Sequence, residues 1–170
     1  QARMNSKRLP GKMLLPLNGH TVIAEVISRC WEIPGLDQVV CAIPSNKDCD
    51  ALALEAMQYA PVYRGSEYDV LERYYEAAIF FNAEIIMRIT GDCPLLSPDL
   101  CGDILWELIK SQADYSSNIE PRSFPQGFDC EVFTFQALEL AYHNDLEREH
   151  VTTWLRNTPK IAKVNLLCPW

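Results

Sequence analysis

At 170 residues, 48% of them hydrophobic and 22% charged, the chain has the length and composition of one globular domain with a substantial core. Its longest apolar stretches fall far short of a membrane span, and its formal net charge of −8 argues against a protein that coats nucleic acid or an anionic membrane. No charged-then-apolar leader opens it, so the expected location is cytoplasmic.

On so acidic a chain, the cluster of Arg3, Lys7, Arg8 and Lys12 within the first twelve residues stands out. A local cationic loop on an acidic protein suits a small anionic ligand better than a polymer. The seven cysteines (Cys30, Cys41, Cys49, Cys93, Cys101, Cys130 and Cys168) are odd in number and lack C-x-x-C spacing. Several lie in apolar runs, so they read as reduced thiols packed in the core.

From Thr21 to Cys30, residues Val22, Ile23, Val26, Ile27 and Cys30 share one helical face, with Thr21 as N-cap. Pro34-Gly35 breaks the chain before a buried strand over 38–43. A helix is predicted over 51–59, a short strand at Val62-Tyr63, and an amphipathic helix over 69–81 with Val70, Leu71, Tyr74, Ala78 and Phe81 inward. A strand over 84–89 precedes a helix opened by Ser97-Pro98, whose stripe is Leu100, Ile104, Leu105 and Leu108. Strands follow over 114–117 and 129–133, then helices over 135–143 and 147–156, and a last apolar run over 161–167. Strand and helix alternating at this spacing predict a single α/β domain with a mainly parallel sheet. In such sheets ligands bind beyond the carboxyl ends of the strands.

Two loops there carry chemistry. The first, Gln1 to Lys12, mixes cations with small polar residues and turns at Pro10-Gly11, a composition able to seat a polyphosphate. It matches neither a Walker A sequence nor a G-x-G-x-x-G fingerprint, and a solvated basic terminus is the plain alternative. The second, Arg88-Ile-Thr-Gly-Asp-Cys-Pro94, lets Gly91 turn tightly and presents Asp92 at a strand end. A lone carboxylate there suits Mg²⁺, although Asp is also a common turn residue.

Arg64-Gly65-Ser66 follows a strand and can either approach a ligand or open the next helix through a Ser66-Asp69 capping box. Asp129 and Glu131 alternate on a strand and so share a face, where they could bind sugar hydroxyls or a second cation. His150 sits beside Val151, Trp154 and Leu155 on an expected helix, as a structural residue, a substrate contact or a proton acceptor.

Five motifs occur here in one order: Q-A-R-M-x-S-x-R-L-P-G-K, Y-R-G-S-E-x-D-V-L-x-R-Y-Y, R-I-T-G-D-C-P-L, G-x-D-x-E-V-F and R-E-H-V-T. Together they resemble the cytidylyltransferases related to the spore-coat polysaccharide biosynthesis protein, cousins of the CMP-Kdo and CMP-acylneuraminate synthetases. The resemblance implies a three-layer nucleotide-diphospho-sugar transferase fold, close to the GT-A type and Rossmann-like. It implies a reaction in which a sugar hydroxyl attacks the α-phosphate of CTP and pyrophosphate leaves, serving surface polysaccharide biosynthesis. By motif, Arg3, Ser6, Arg8 and Lys12 would hold the triphosphate, with Arg64 as a further nucleotide contact. Asp92 would bind Mg²⁺ and, with Arg8 and Lys12, carry the catalysis. Asp129, Glu131 and His150 would face the sugar or sugar-acid substrate.

Members of that family are expected to have an apolar strand leading into the Q-A-R motif and a further acidic segment after the last strand, so a chain spanning 1–170 is expected to lack both. Two other readings remain: a GT-A-like glycosyltransferase, which would release a nucleoside phosphate rather than pyrophosphate, and a non-catalytic nucleotide-binding module, which would bind CTP without turnover. A homodimer through an exposed apolar patch stays open in all three.

Overall fold

The apolar periodicity becomes a three-layer α/β arrangement in the computed structural model, which describes residues 1–5 and 9–169. A short antiparallel hairpin, β1 (Pro16–Leu17) and β2 (His20–Thr21), leads into α1 (Val22–Trp31). Thr21 caps α1 as expected, accepting from the Ala24 N–H at 3.2 Å. Next come β3 (Cys41–Pro44), α2 (Asp50–Ala56), β4 (Val62–Gly65) and α3 (Val70–Phe80). The chain continues with β5 (Ile85–Arg88), α4 (Pro98–Ser111), β6 (Tyr115–Ser117), β7 (Glu131–Thr134), α5 (Phe135–Asn144), α6 (Thr153–Asn157) and β8 (Lys163–Asn165).

The strands β3 and β4 pair in parallel, and the larger sheet runs β5-β7-β6-β8. The expected parallel pairing holds for β3–β4 and β6–β8, but β7 lies antiparallel to both β5 and β6. The sheet is therefore mixed. The reason is a return: after β6 the chain loops through residues 118–130 and re-enters between β5 and β6 in the reverse sense. Nothing in the local apolar pattern distinguishes that from a parallel crossover.

Adjacent residues of β7 show the layering. Val132 packs into a core with α1, α2 and α4, whereas Phe133 joins Tyr115 in a second core with α3, α5 and α6. Successive strand side chains point to opposite faces, so one strand supplies both cores. Gln1 and Ala2 join the sheet pieces. The Ala2 N–H donates to the Ala42 carbonyl on β3, and the Gln1 carbonyl accepts from Gly91 after β5. Beside them, an apolar cavity of about 670 Å³ lies between β3 and β5.

Five of the seven cysteines are buried, and all seven are free thiols. Burial pushes the Cys30 thiol up to about 12, so it stays protonated and packs as a hydrophobe.

The helix expected over 147–156 is shorter: only Thr153–Asn157 is helical there. The Arg148 carbonyl accepts from both Val70 and Leu71 N–H groups, so it satisfies the open N-terminus of α3. Arg148 also donates from Nε to Asp69 at 2.8 Å and lies 4.4 Å from the centre of the Tyr142 ring. Asp69, rather than Ser66, is the N-cap of α3, accepting from Glu72 N–H at 2.7 Å, while Ser66 accepts from the Asp69 N–H.

Asp69 thus does two jobs. Asp69→Ala is expected to lower stability by about 1–2 kcal/mol, combining a lost cap with a part-exposed ion pair. Asp69→Asn, which keeps the capping oxygen, is expected to lose less than half of that in urea denaturation. Equal losses would show that the cap contributes nothing.

Candidate functional site

The first loop is closed on itself and tied to three other segments. Gly11 has a φ of 73°, a left-handed turn that glycine adopts without strain. Its N–H donates to the Met4 carbonyl at 3.2 Å, and Lys12 then opens a short 3₁₀ turn over Lys12–Leu14. Three side chains reach outward from this loop. Lys12 Nζ pairs with the Asp92 carboxylate, Asn5 Nδ2 donates to Glu67 at 3.0 Å, and Arg3 lies 3.7 Å from Glu149. These contacts bring the first, second, third and fifth sequence motifs to one place. Ser6, Lys7 and Arg8 lie outside the described residues.

Asp92 stands at the carboxyl end of β5, as expected. Its presentation depends on Gly91, whose N–H donates to the Gln1 carbonyl at 2.7 Å. A Cβ at Gly91 would sit 3.0 Å from that same carbonyl oxygen and from Ala2 Cβ, so the close approach requires glycine. Partial burial pushes the Asp92 carboxyl upward, but the hydrogen bond and charge of Lys12, helped by Thr90, hold it below its ordinary value. Asp92 is therefore an ionised, part-exposed oxygen donor.

That donor fits Mg²⁺, a hard cation that takes one or two protein carboxylates and completes its shell with phosphate oxygens and water. No group of three or more His, Cys, Asp or Glu side chains suited to a metal occurs among the described residues. A cation here would therefore depend on ligand oxygens beside Asp92.

Next to this loop opens a polar cavity of about 270 Å³. Asp129, Glu131 and His150 all line it, although β7 begins only at Glu131, so Asp129 reaches the cavity from the loop before the strand rather than from a shared strand face. Thr90, two residues before Asp92 and one of the groups that lower its carboxyl, lines it too and connects the two regions. Both carboxylates are engaged. Asp129 takes a two-pronged pair from Arg122 at 2.6 and 2.8 Å. Glu131 is 2% exposed and accepts from Arg88 and from the Tyr115 hydroxyl, the latter at 2.6 Å. Burial, followed by the charge of Glu131, pushes the Tyr115 hydroxyl well up and keeps it a donor. Glu131 therefore shapes the cavity by holding Arg88, without a free oxygen for a second cation. His150 sits on a turn rather than a helix, exposed, 3.8 Å from Glu147.

Arg64, expected as a further nucleotide contact, is held by groups of the protein itself. Its Nε donates to the Pro44 carbonyl at 2.9 Å, and one terminal nitrogen reaches the Asn46 carbonyl and Asp50. Those acceptors hold the guanidinium against the loop after β3. The residues that sequence reasoning missed are Arg88, Arg122 and Arg156, all lining the cavity. Arg88 had a signal, since it opens the R-I-T-G-D motif. Arg122 and Arg156 had none.

The comparisons with known proteins point one way. A family model described as cytidylyltransferase matches residues 1–167. The uncharacterized protein MJ1063 of Methanocaldococcus jannaschii is 39% identical over 99% of this chain and 70% of its own length. The spore coat polysaccharide biosynthesis protein SpsF of Bacillus subtilis is 30% identical over 98% of this chain and 72% of its own. A solved cytidylyltransferase from Leptospira borgpetersenii superposes with a TM-score of 0.93 at 30% identity, over 98% of this chain and 73% of that one. The nucleotide-diphospho-sugar transferase fold expected from the motifs is therefore the fold of this chain.

The Lys12–Asp92 pair has a titration signature. Asp92 is expected to titrate below its ordinary 3.8 in carboxyl-detected NMR, and Lys12→Met to move the midpoint upward. Because the folded value is depressed, its contribution to stability is present above 3.8 and is lost as pH falls through the folded midpoint. A midpoint unmoved by Lys12→Met would rule out the pairing.

Proposed function

Because the chain belongs to the cytidylyltransferase family, and is thus a nucleotidyltransferase, we propose that it transfers CMP from CTP to a hydroxyl of a sugar or sugar acid. Pyrophosphate leaves. One observation carries the reading: the Lys12–Asp92 pair, on a cationic loop, adjoins an arginine-lined cavity through Thr90. A polyphosphate seat and a polar acceptor pocket side by side are what an in-line displacement at phosphorus needs.

In this reading Arg3, Ser6, Arg8 and Lys12 receive the triphosphate. Lys12 neutralises charge that builds on the departing pyrophosphate. Arg64 acts on the nucleotide only indirectly, by fixing the loop after β3. Asp129 and His150 face the acceptor, while Glu131 keeps Arg88 in place. Asp92 would hold Mg²⁺, which would supply Lewis-acid stabilisation of the charge on the phosphate. No covalent intermediate on the protein is required: the acceptor oxygen bonds to the α-phosphorus as the bond to the bridging oxygen breaks. The name of SpsF supports surface polysaccharide biosynthesis as the setting, and the protonated core thiols support a reducing cytoplasm.

The test is a calorimetric and thermal-shift titration with CTP, UTP, GTP and ATP, with and without Mg²⁺. CTP with Mg²⁺ is expected to stabilise the chain selectively. Asp92→Ala is expected to abolish the Mg²⁺-dependent part and to lower pyrophosphate release by about 100-fold or more. Stabilisation without pyrophosphate release, with any acceptor, would favour a binding module. A nucleoside phosphate as the released product would favour a glycosyltransferase.

A further inference from the structure

Arg73 is a buried charge outside both the Lys12–Asp92 pair and the polar cavity. It stands in the first turn of α3 and is 1% exposed. One terminal nitrogen donates to the Ser66 carbonyl, and the buried Nε has no acceptor. No carboxylate pairs with it among the described residues. The carboxylate whose charge bears on it is Asp69, which is already taken by the Glu72 N–H and by Arg148. Burial holds the Arg73 pKa below its ordinary value, and the charge of Arg3 on the first loop presses the same way.

An arginine taken out of water without a counter-charge is costly, and an apolar side chain could fill the same space without that cost. Its neighbours show what it serves. The Arg73 stem packs on Gly65, the last residue of β4: a Cβ there would meet Arg73 Cγ at 3.0 Å, so the close approach requires glycine. The Gly65 carbonyl accepts from the Ser45 N–H after β3, so the carboxyl ends of two parallel strands meet here. Ser66 follows, and then Glu67, which receives Asn5 of the first loop at 3.0 Å. The guanidinium is thus bonded to the turn by which β4 meets the first loop, at the strand ends where such sheets bind ligands.

We infer that Arg73 is a positioning residue for the nucleotide, a buried fixed charge whose counter-charge is the polyphosphate received by the first loop. It acts through the Ser66 turn and through its field, without touching the ligand. This rests on the triphosphate seat proposed above and adds to it a source of positive charge that solvent screens little. Arg3 and Lys12 are part-exposed, and salt weakens their pull; a charge in water-poor surroundings acts over several ångströms with less loss. The unfavourable burial is relieved only when the anion is present. Stability of the free chain and affinity for the anion are therefore opposed at this residue.

The test compares the whole chain with Arg73→Met and Arg73→Lys. Without ligand, Arg73→Met is expected to melt at or above the temperature of the parent, because an apolar side chain of similar length removes an unmatched charge. Calorimetric titration at fixed Mg²⁺ then follows cytidine, CMP, CTP and inorganic pyrophosphate. Arg73→Met is expected to weaken CTP and pyrophosphate by about 10-fold or more, CMP by less, and cytidine by less than about twofold. Arg73→Lys, which keeps the charge without the fork, is expected to stay within about threefold of the parent for CTP. A residue that only shapes the turn would give another pattern: Arg73→Met melting more than about 4 °C lower, or equal losses for cytidine and CTP. Either result would overturn the inference. A parent chain that binds pyrophosphate with the same dependence on Arg73, but no cytidine nucleotide, would overturn the proposed function and leave the role of Arg73 standing. A parent that binds none of the anions would overturn both.

Discussion

A carboxylate taken out of water at the centre of the larger sheet governs the arrangement around it. Glu131 is 2% exposed, and an isolated charge at that depth would be prohibitive. It is met from both sides: Arg88 stands directly opposite it on β5, and the Tyr115 hydroxyl reaches it from β6. Three strands are therefore tied to one side chain. A slip of one residue in either pairing would turn Arg88 or Glu131 to the opposite face and leave a buried charge unmatched, so the pairing fixes register. Register in turn fixes where β5 ends. Thr90, Gly91 and Asp92 come next, and their position at the strand's carboxyl end follows from the charge pair beneath them.

What was legible in the sequence, and what was not, divides along the same physical line. Helices read well because a helix announces itself locally: the stripes of α1, α3 and α4 and the caps Thr21 and Ser97 are patterns within a dozen residues. The antiparallel insertion of β7 is a property of which strand it joins, and alternating apolar residues look the same in either sense. The Arg148 region failed for a sharper reason. Its residues have a helical apolar spacing, but the Arg148 carbonyl is already committed to the start of α3, and a helix could not have kept that contact. A tertiary hydrogen bond overrode local propensity.

The site shows the same limit. Asp92 and Lys12 were readable because a glycine turn at a strand end and a basic loop are local features. Their pairing was not, since 80 residues separate them. The partners of Arg64 were not readable, because an arginine after a strand looks alike whether it meets a ligand or two carbonyls of its own protein. Arg122 and Arg156 were invisible because neither lies in a motif; only the folded cavity shows that Arg122 is matched by Asp129 and that Arg156 has no carboxylate partner among the described residues.

Charge also bears on how, under the proposed function, an acidic chain would keep a cationic seat ready for a polyanion. The first loop leans on three carboxylates, Glu67, Asp92 and Glu149, from three other segments. Such partners lower the self-repulsion of a cationic loop and hold its side chains near their working positions. They do so unequally. Arg3 and Glu149 are both more than half solvent-accessible, or at that border, and 3.7 Å apart, a contact worth about 0–1 kcal/mol that a phosphate can replace at little cost. Lys12 is less exposed and Asp92 is held ionised by it, so that pair is the firmer one. A triphosphate would displace the weak partner and keep the strong pair's two charges in use, the lysine toward phosphate oxygens and the carboxylate toward a cation. Under the proposed function, graded pairing of this kind would hold Arg3, Asn5 and Lys12 in place before the ligand arrives without making it compete against every contact at once.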